Sequence, residues 1–295
     1  MTGLRALGDS AAHPVDIKKE MLEAASALGR HGSGGTGSDR GVAPMTSDLS
    51  IDEELALHSI SWEPTELVCG VSVYSVPVGV WSWGQGEITY ASSAYARSFA
   101  AAIDRIRREC AKAGGHGVVG VHIEAEVHRN HVNIALLGTA VRPVGSKRSS
   151  SESAFVSDLS GRDFTLLMAS GWAPLGLAVG ASFVYAPRRT AGVTIKQASQ
   201  NVEMTNFTEA MYSARESAME RMQQSALALQ GTGVVEVKVK EGPMSFARHA
   251  VGFAAFGTVV RLVAERHQSV KPTMILPLDD PVRQFDVTAL RGEGG

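Results

Sequence analysis

The segment SDLSIDEELALHSISWEP, which spans Ser47–Pro64, indicates how the chain is organised, because a second version of it occurs later in the chain. At Ser157–Pro174, 110 positions downstream, the sequence reads SDLSGRDFTLLMASGWAP. When Ser47–Ser72 is compared with the segment 110 positions later, ten positions are identical, whereas average residue usage predicts about two matches by chance. The match of Trp62 with Trp172 is the most informative, since the chain has only four tryptophans.

The similarity continues downstream of these segments. The sequence GHGVVGVHIEAEV from Gly115 corresponds to GTGVVEVKVKEG from Gly231, and GTAV from Gly138 corresponds to GTVV from Gly257. The offset grows along the chain, as insertions in loops would cause. The chain is therefore predicted to contain an internal duplication of one structural unit.

Each predicted unit has the same order of elements. Ser50 and Ser160 are each followed three positions later by an acidic residue, which is a typical start of a helix. A short helix is followed by an apolar strand, a long amphipathic helix and two further strands. The prediction is an α+β fold of two tandem repeats, each a compact unit of short helix, strand, long helix and β-hairpin.

The predicted boundaries follow from this repeat. They comprise an N-terminal tail over residues 1–45, unit 1 over residues 46–144, a linker over residues 145–156, unit 2 over residues 157–264 and a C-terminal tail over residues 265–295.

The segment AKAGGHGVVGVHIEAEV, followed by ALLGTAV, resembles the small bacterial YbjQ-like family, which is commonly labelled heavy-metal-binding. Members carry a helix ending near A-x-x-L-G-A-D-A-V-V-G-V and then a hairpin finishing in G-T-A-V. Gly117–Val121 and Gly138–Val141 match in unit 1, and Gly233–Val237 and Gly257–Val260 match in unit 2. Glu236 replaces the motif glycine, so unit 2 is expected to be the more diverged copy. The resemblance covers most of residues 47–264 and implies a ring-forming unit, commonly fivefold, without a settled activity.

The composition excludes several classes of protein. Hydrophobic residues make up 44% and charged residues 20%, and the net charge is −2, which is typical of a globular protein without a nucleic-acid footprint. The two cysteines indicate no disulfide framework. The chain has no apolar run of the roughly 18 residues that span a bilayer, and its first residues lack a signal-peptide core. A cytoplasmic protein without a membrane span is predicted.

A candidate metal site lies in GVHIEAEVHRNH. Strand alternation places His122, Glu124 and His128 on one face, and imidazole and carboxylate groups are ligands for zinc or similar ions. Neighbours on one strand face lie nearly 7 Å apart, and lysines replace the first two residues in unit 2. Two alternatives stay open: a solvated strand face, or a metal site completed by residues of another subunit.

Two further segments are candidates for partner binding. Ile17, Met21 and Leu28 lie on one side of a predicted amphipathic helix, tethered by the Gly-rich linker HGSGGTGSDRGVAP. Such a helix can dock on another protein, or it can fold back on its own chain. Trp81 and Trp83 share one face if their segment is extended. They either form a binding anchor or pack against a neighbouring unit.

The function predicted from these patterns is a non-enzymatic, ring-forming binding or scaffold protein that needs no cofactor. Its partners would be further copies of itself, and a protein bound by the N-terminal helix. The alternative is a divalent or heavy-metal-binding protein. An enzyme with a site between units is a third possibility, although the chain has no G-x-S-x-G, H-E-x-x-H or C-x-x-C motif.

Overall fold

The computed structural model describes residues 45–76, 86–128, 130–146, 150–151, 153–186, 203–243 and 249–269. Within them the chain has four helices and eight strands, a mixed α+β fold. The helices are α1 (Ile51–Ser59), α2 (Thr89–Lys112), α3 (Gly161–Ala169) and α4 (Thr205–Ala228). The strands are β1 (Trp62–Ser75), β2 (Gly86–Glu87), β3 (Gly117–Val127), β4 (His131–Pro143), β5 (Phe155–Val156), β6 (Trp172–Tyr185), β7 (Gly233–Pro243) and β8 (Ala250–Leu262).

The strands form two four-stranded sheets. The first sheet has the order β1-β4-β3-β5 and the second the order β2-β6-β8-β7. All pairs are antiparallel except β3 with β5, which is parallel. In each half of the chain a 9-residue helix is followed by a 14-residue strand, a 24-residue helix, an 11-residue strand and a 13-residue strand. This is the order of elements that the sequence predicts.

Residues at the same place in the two halves are called counterparts below. A residue in α1 or β1 has its counterpart 110 positions later, one in α2 or β3 116 positions later, and one in β4 119 positions later. The sheet registers agree with this assignment. Gly117 pairs with Val141 in the first sheet, and its counterpart Gly233 pairs with Val260, the counterpart of Val141.

The short helices begin where the serine caps predict. The backbone N–H of Ser50 donates to Glu53 Oε2 at 2.8 Å, and the backbone N–H of Asp163 donates to Ser160 Oγ at 3.1 Å. Both contacts satisfy helix-terminal N–H groups that have no partner inside the helix.

Each long helix packs against its strand at a glycine. A β-carbon on Gly70 would lie 2.2 Å from the carbonyl oxygen of Ala102 in α2, and one on Gly180 would lie 1.9 Å from that of Ala218 in α4. Only a residue without a side chain allows the helix backbone to approach this closely.

Helix α2 lies between the two sheets. Its buried residue Phe99 belongs to a core that contains Ile134 of the first sheet and Phe183 of the second. Helix α4 covers the other face of the second sheet in a separate core. Since β-strand side chains alternate between faces, the layers follow the order first sheet, α2, second sheet, α4. The face of the first sheet away from α2 has no helix of this kind against it among the described residues.

The one motif glycine that differs between the halves lies at a β-bulge. Gly120 has φ +65°, and its counterpart Glu236 has φ +52°. In both β3 and β7 the register shifts at this position, as expected for a bulge with a left-handed residue. The second half therefore keeps the bulge with a residue for which this conformation is unfavourable.

Candidate assembly interface

The contact between the two halves begins with a strand added to the edge of β3. Strand β5 pairs with Gly117 and Val118, and the pairing continues through Ser157, whose N–H donates to the Val118 carbonyl at 2.9 Å. The Gly120 N–H donates to the Leu159 carbonyl at 2.7 Å. Strand addition satisfies backbone groups that an open sheet edge leaves unpaired. Part of the predicted linker over residues 145–156 thus belongs to the first sheet.

The same segment is anchored in the second half by a buried carboxylate. Thr258 Oγ1 donates to Asp158 Oδ1 at 2.6 Å and accepts from the Asp158 backbone N–H at 3.1 Å. The Lys238 ammonium lies 3.1 Å from the other carboxylate oxygen. Burial disfavours the charged ammonium, but the combined attraction of Asp158 and Glu236 outweighs the effect of burial and raises the pKa of Lys238. A buried carboxylate held in this way orders the segment.

A second contact is made by the start of α2 on β6. Strand β2 pairs with the last two residues of β6. The Ile88 N–H donates to the Phe183 carbonyl at 2.6 Å, and the Phe183 N–H donates to Ser92 Oγ at 3.2 Å. The rings of Tyr95 and Phe183 lie 5.8 Å apart between centroids. The first half therefore also extends the edge of the second sheet.

A charged pair joins the halves at this edge. Arg221 Nη2 donates to Glu87 Oε2 at 2.8 Å, and Arg221 Nη1 donates both to Glu87 Oε1 and, at 2.7 Å, to the Ala181 carbonyl. The hydrogen bond from Arg221 lowers the pKa of Glu87 against the opposing effect of burial. Fork-shaped pairs of this kind fix geometry as well as contributing energy. We call this contact the Glu87–Arg221 clamp.

The clamp borders a cleft of roughly 470 Å³ between α2, β6 and α4. Tyr95, Phe99 and Leu177 line it with apolar surface, and Arg221 contributes a guanidinium. The Tyr95 hydroxyl is buried with no hydrogen-bond partner among the described residues, and burial raises its pKa. The cleft thus offers apolar contact, the guanidinium of Arg221 and the polar side chains of Gln224 and Ser225.

The residues predicted to bind metal lie on β3. His122 and Glu124 are exposed on its solvent-facing side, and His128 follows the strand end. Six residues of strand separate His122 from His128 by roughly 20 Å. Among the described residues, no group of three or more His, Cys, Asp or Glu side chains is arranged to hold a metal ion.

The side chains next to His128 are those of His131 and Glu126. The His128 ring stacks on the His131 ring at 4.5 Å between centroids, and His128 Nε2 lies 3.3 Å from Glu126 Oε2. The β3–β4 hairpin creates this proximity. The predicted partner-binding residues Ile17, Met21, Leu28, Trp81 and Trp83 lie outside the described residues.

Sequence reasoning missed both Glu87–Arg221 and Asp158–Thr258. A signal for the first was present, because the repeat aligns GEIT from Gly86 with VEMT from Val202 and so places two glutamates at corresponding positions. In the part of the chain that the structure describes, no helix has the length and apolar character needed to cross a bilayer.

Comparison with known proteins identifies one domain family. The YbjQ family, described as "Putative heavy-metal-binding", matches residues 191–263. The predicted YbjQ-like resemblance is thus confirmed for residues 191–263. The match falls on the unit in which Glu236 replaces the motif glycine.

The longer similarity is to a curated protein. The chain is 36% identical over 244 residues to "Encapsulin nanocompartment protein Rv1762c" of Mycobacterium tuberculosis. The aligned region covers 80% of this chain and 92% of that protein. No solved structure matches. At this identity over most of both sequences, the chain belongs to the same protein family as the Mycobacterium tuberculosis nanocompartment protein.

Proposed function

We propose that this protein is a non-enzymatic scaffold that assembles with further copies of itself from two tandem YbjQ-like units. The observation that carries the proposal is the 36% identity, over 80% of the chain, to a protein named as a nanocompartment protein. That name agrees with the scaffold predicted from the sequence and not with an enzyme. A compartment requires a protein whose surfaces bind one another repeatedly.

The surface of the chain supports self-association. Val73 on the first sheet and Tyr212 on α4 are among the large hydrophobic side chains that stay exposed. Contiguous exposed apolar surface is typical of protein interfaces, and Val71 and Val73, which share one face of β1, are 41% and 64% exposed. We expect such surfaces to make the kind of contact that joins the two halves, namely strand addition combined with a charged clamp.

The mass of the native assembly tests the proposal. Multi-angle light scattering at micromolar concentration and moderate salt should give a stable multiple of the 31.2 kDa chain mass. The YbjQ-like resemblance favours fivefold packing, in which five chains contribute ten units. A stable mass of one chain would overturn the proposal, and electron micrographs would separate closed rings or shells from open chains.

The N-terminal helix is proposed to dock on a protein partner. A Gly-rich tether transmits few contacts, so deletion of residues 1–45 should leave the melting temperature and the assembled mass unchanged. A large fall in melting temperature would show instead that Ile17, Met21 and Leu28 belong to the folded core.

A second candidate function, metal binding, is favoured by the description of the matched family and by the His128–His131 stack beside Glu126. Completion of the site by another subunit would add ligands to His122, Glu124 or His128. Stoichiometric metal retained after dialysis, lost in H128N and kept in the exposed-histidine control H58N, would support it. Metal-free protein that binds no added zinc in calorimetry would exclude it.

A further inference from the structure

We propose that a second copy of this chain docks head to tail on the first by repeating the interface between the two halves. In this arrangement α4 and β7 of one copy contact β1 and the Ser47–Leu49 segment of the next. The inference rests on the proposed self-assembly and assigns its surfaces. Several residues are buried at the interface between the two halves, whereas their counterparts in the other half are exposed.

The first observation is the repeated Ser-Asp-Leu segment. In both segments the aspartate N–H donates to the threonine hydroxyl of its own half, at 3.0 Å for Asp48 and Thr139 and at 3.1 Å for Asp158 and Thr258. Asp158 is nevertheless buried against the edge of β3, whereas Asp48 is exposed. The Ser47–Leu49 segment thus has the same sequence and the same local contact as Ser157–Leu159, but it has no strand edge beside it.

The edge that would receive it is β7. The N–H of Val121 in β3 donates to the Ser157 carbonyl at 3.1 Å, and Val121 is 3% exposed, whereas its counterpart Val237 of β7 is 42% exposed. Within the described residues, β7 pairs with β8 on one side and with no strand on the other. A neighbour's Ser47–Leu49 segment would pair with this edge as Ser157–Leu159 pairs with β3.

The second observation concerns the sheet faces. Val73 on the open face of the first sheet is 64% exposed, but its counterpart Phe183, covered by α2, is 4% exposed. On the helix side, Met204 at the start of α4 is 50% exposed, and its counterpart Ile88 is 5% exposed. The open face of the first sheet and the start of α4 are therefore exposed apolar surfaces in the two outer layers of the molecule. Their counterparts, the α2 side of the second sheet and the start of α2, are packed against each other between the halves.

The third observation is that both partners of the clamp are repeated. Arg105 is the counterpart of Arg221, and it donates to the carbonyl of Val71 as Arg221 donates to that of Ala181. Glu203 is the counterpart of Glu87, and it accepts from Thr208 Oγ1 at 2.8 Å. The Arg105 guanidinium belongs to the first half of the chain and the Glu203 carboxylate to the second half. Docking would bring Arg105 of one copy to Glu203 of the next.

One position requires the two interfaces to differ. Ile51 is the counterpart of Gly161, where a β-carbon would lie 2.9 Å from Cβ of Glu53. Helix α1 of one copy must therefore lie farther from α3 of its neighbour than α3 lies from α1 within one chain. Because the two docking surfaces are different, the contact is heterologous, and it generates a closed ring or an open chain of copies.

Charge reversal of the intermolecular clamp tests the proposal in the full chain. The variants are R105E and E203R, each checked for native circular dichroism. Each single variant should raise the concentration needed for half-assembly by about tenfold or more, since like charges would then meet at every junction. The double variant R105E/E203R should recover assembly. A mixture of the two single variants should also recover it, because complementary charges meet at each mixed junction.

Two further variants make the test specific. V73D places a charge on the open sheet face and should also prevent assembly. R261E is the matched control, because its counterpart Arg142 pairs with Glu63 of its own half and not with the other half. The control should assemble as the wild type does.

The outcomes separate the interface from the proposed function. Wild-type assembly that persists unchanged in R105E, E203R and V73D would overturn the interface and leave self-assembly standing. Dissociated single variants that neither the double variant nor the mixture restores would overturn the Arg105–Glu203 pairing, and so would dissociation of R261E. A monomeric wild type would overturn both proposals.

Discussion

Replacement of Gly70 or Gly180 by alanine should strongly destabilise the fold. The added β-carbon would lie 2.2 Å from the Ala102 carbonyl oxygen at Gly70, and 1.9 Å from that of Ala218 at Gly180. Both obstacles are helix backbone, so no side-chain rotation relieves the overlap. The helix must move away from its sheet in either variant.

The magnitude follows from the required displacement. An ordinary contact lies at 3.4 Å or more, so α2 must retreat by roughly 1.2 Å at Gly70. Gaps of 0.5–1 Å already remove about a quarter to a half of the dispersion attraction between facing atoms. Overpacking costs about 1–3 kcal/mol, and backbone overlap puts these variants at about 3 kcal/mol. That corresponds to a fall in melting temperature of roughly 6–12 °C.

The assay is urea unfolding followed by circular dichroism and tryptophan fluorescence. Because assembly contributes to apparent stability, all variants must be compared at one protein concentration. Gly233→Ala is the matched control, since its β-carbon would meet only the Val260 side chain at 3.6 Å, and it should stay within about 0.5 kcal/mol of wild type. A free energy of unfolding for Gly70→Ala equal to that of the control would refute the close helix approach.

Three further predictions concern single residues. Glu236→Gly should stabilise the protein by about 1 kcal/mol in urea unfolding, because glycine adopts the left-handed conformation that strains a residue with a side chain; an unchanged midpoint would contradict the strain. The clamp lowers the pKa of Glu87 below its ordinary value of 4.5, so its contribution is present above that pH and is lost as the pH falls through the lowered pKa. The stability difference between wild type and E87Q should accordingly shrink between pH 7 and pH 3, and a constant difference would argue against a role for Arg221. Burial raises the pKa of Cys110 to about 12, so a C69S variant should show no thiol that reacts at pH 8 until it is unfolded; rapid labelling of the native variant would show that Cys110 is accessible.

Much of the fold could be predicted because its signals act over short distances. Ser50 and Ser160 mark the starts of α1 and α3 through contacts only three residues long. The spacing of apolar residues reveals the long helices, since one face must be buried whatever lies against it. Gly70 and Gly180 recur at corresponding positions because each half repeats the same close approach.

The candidate site could be predicted less well. His122 and His128 share a strand face by alternation alone, yet the extended strand keeps them too far apart to share an ion within one chain. The clamp joins Glu87 and Arg221 across 134 positions of sequence. No local pattern reports such a contact, although the repeated glutamate and arginine were visible once the halves were aligned.

The order of elements, the internal repeat and the family resemblance could all be predicted from the amino-acid sequence. Which sheet edges and faces are covered depends on tertiary packing. Asp48 and Asp158 lie in identical segments, yet one is exposed and the other buried. Val73 and Phe183 likewise lie at the same place in the two sheets and differ in exposure. Helix caps and strand periodicity depend on neighbours along the chain, whereas burial depends on which distant element packs against a surface.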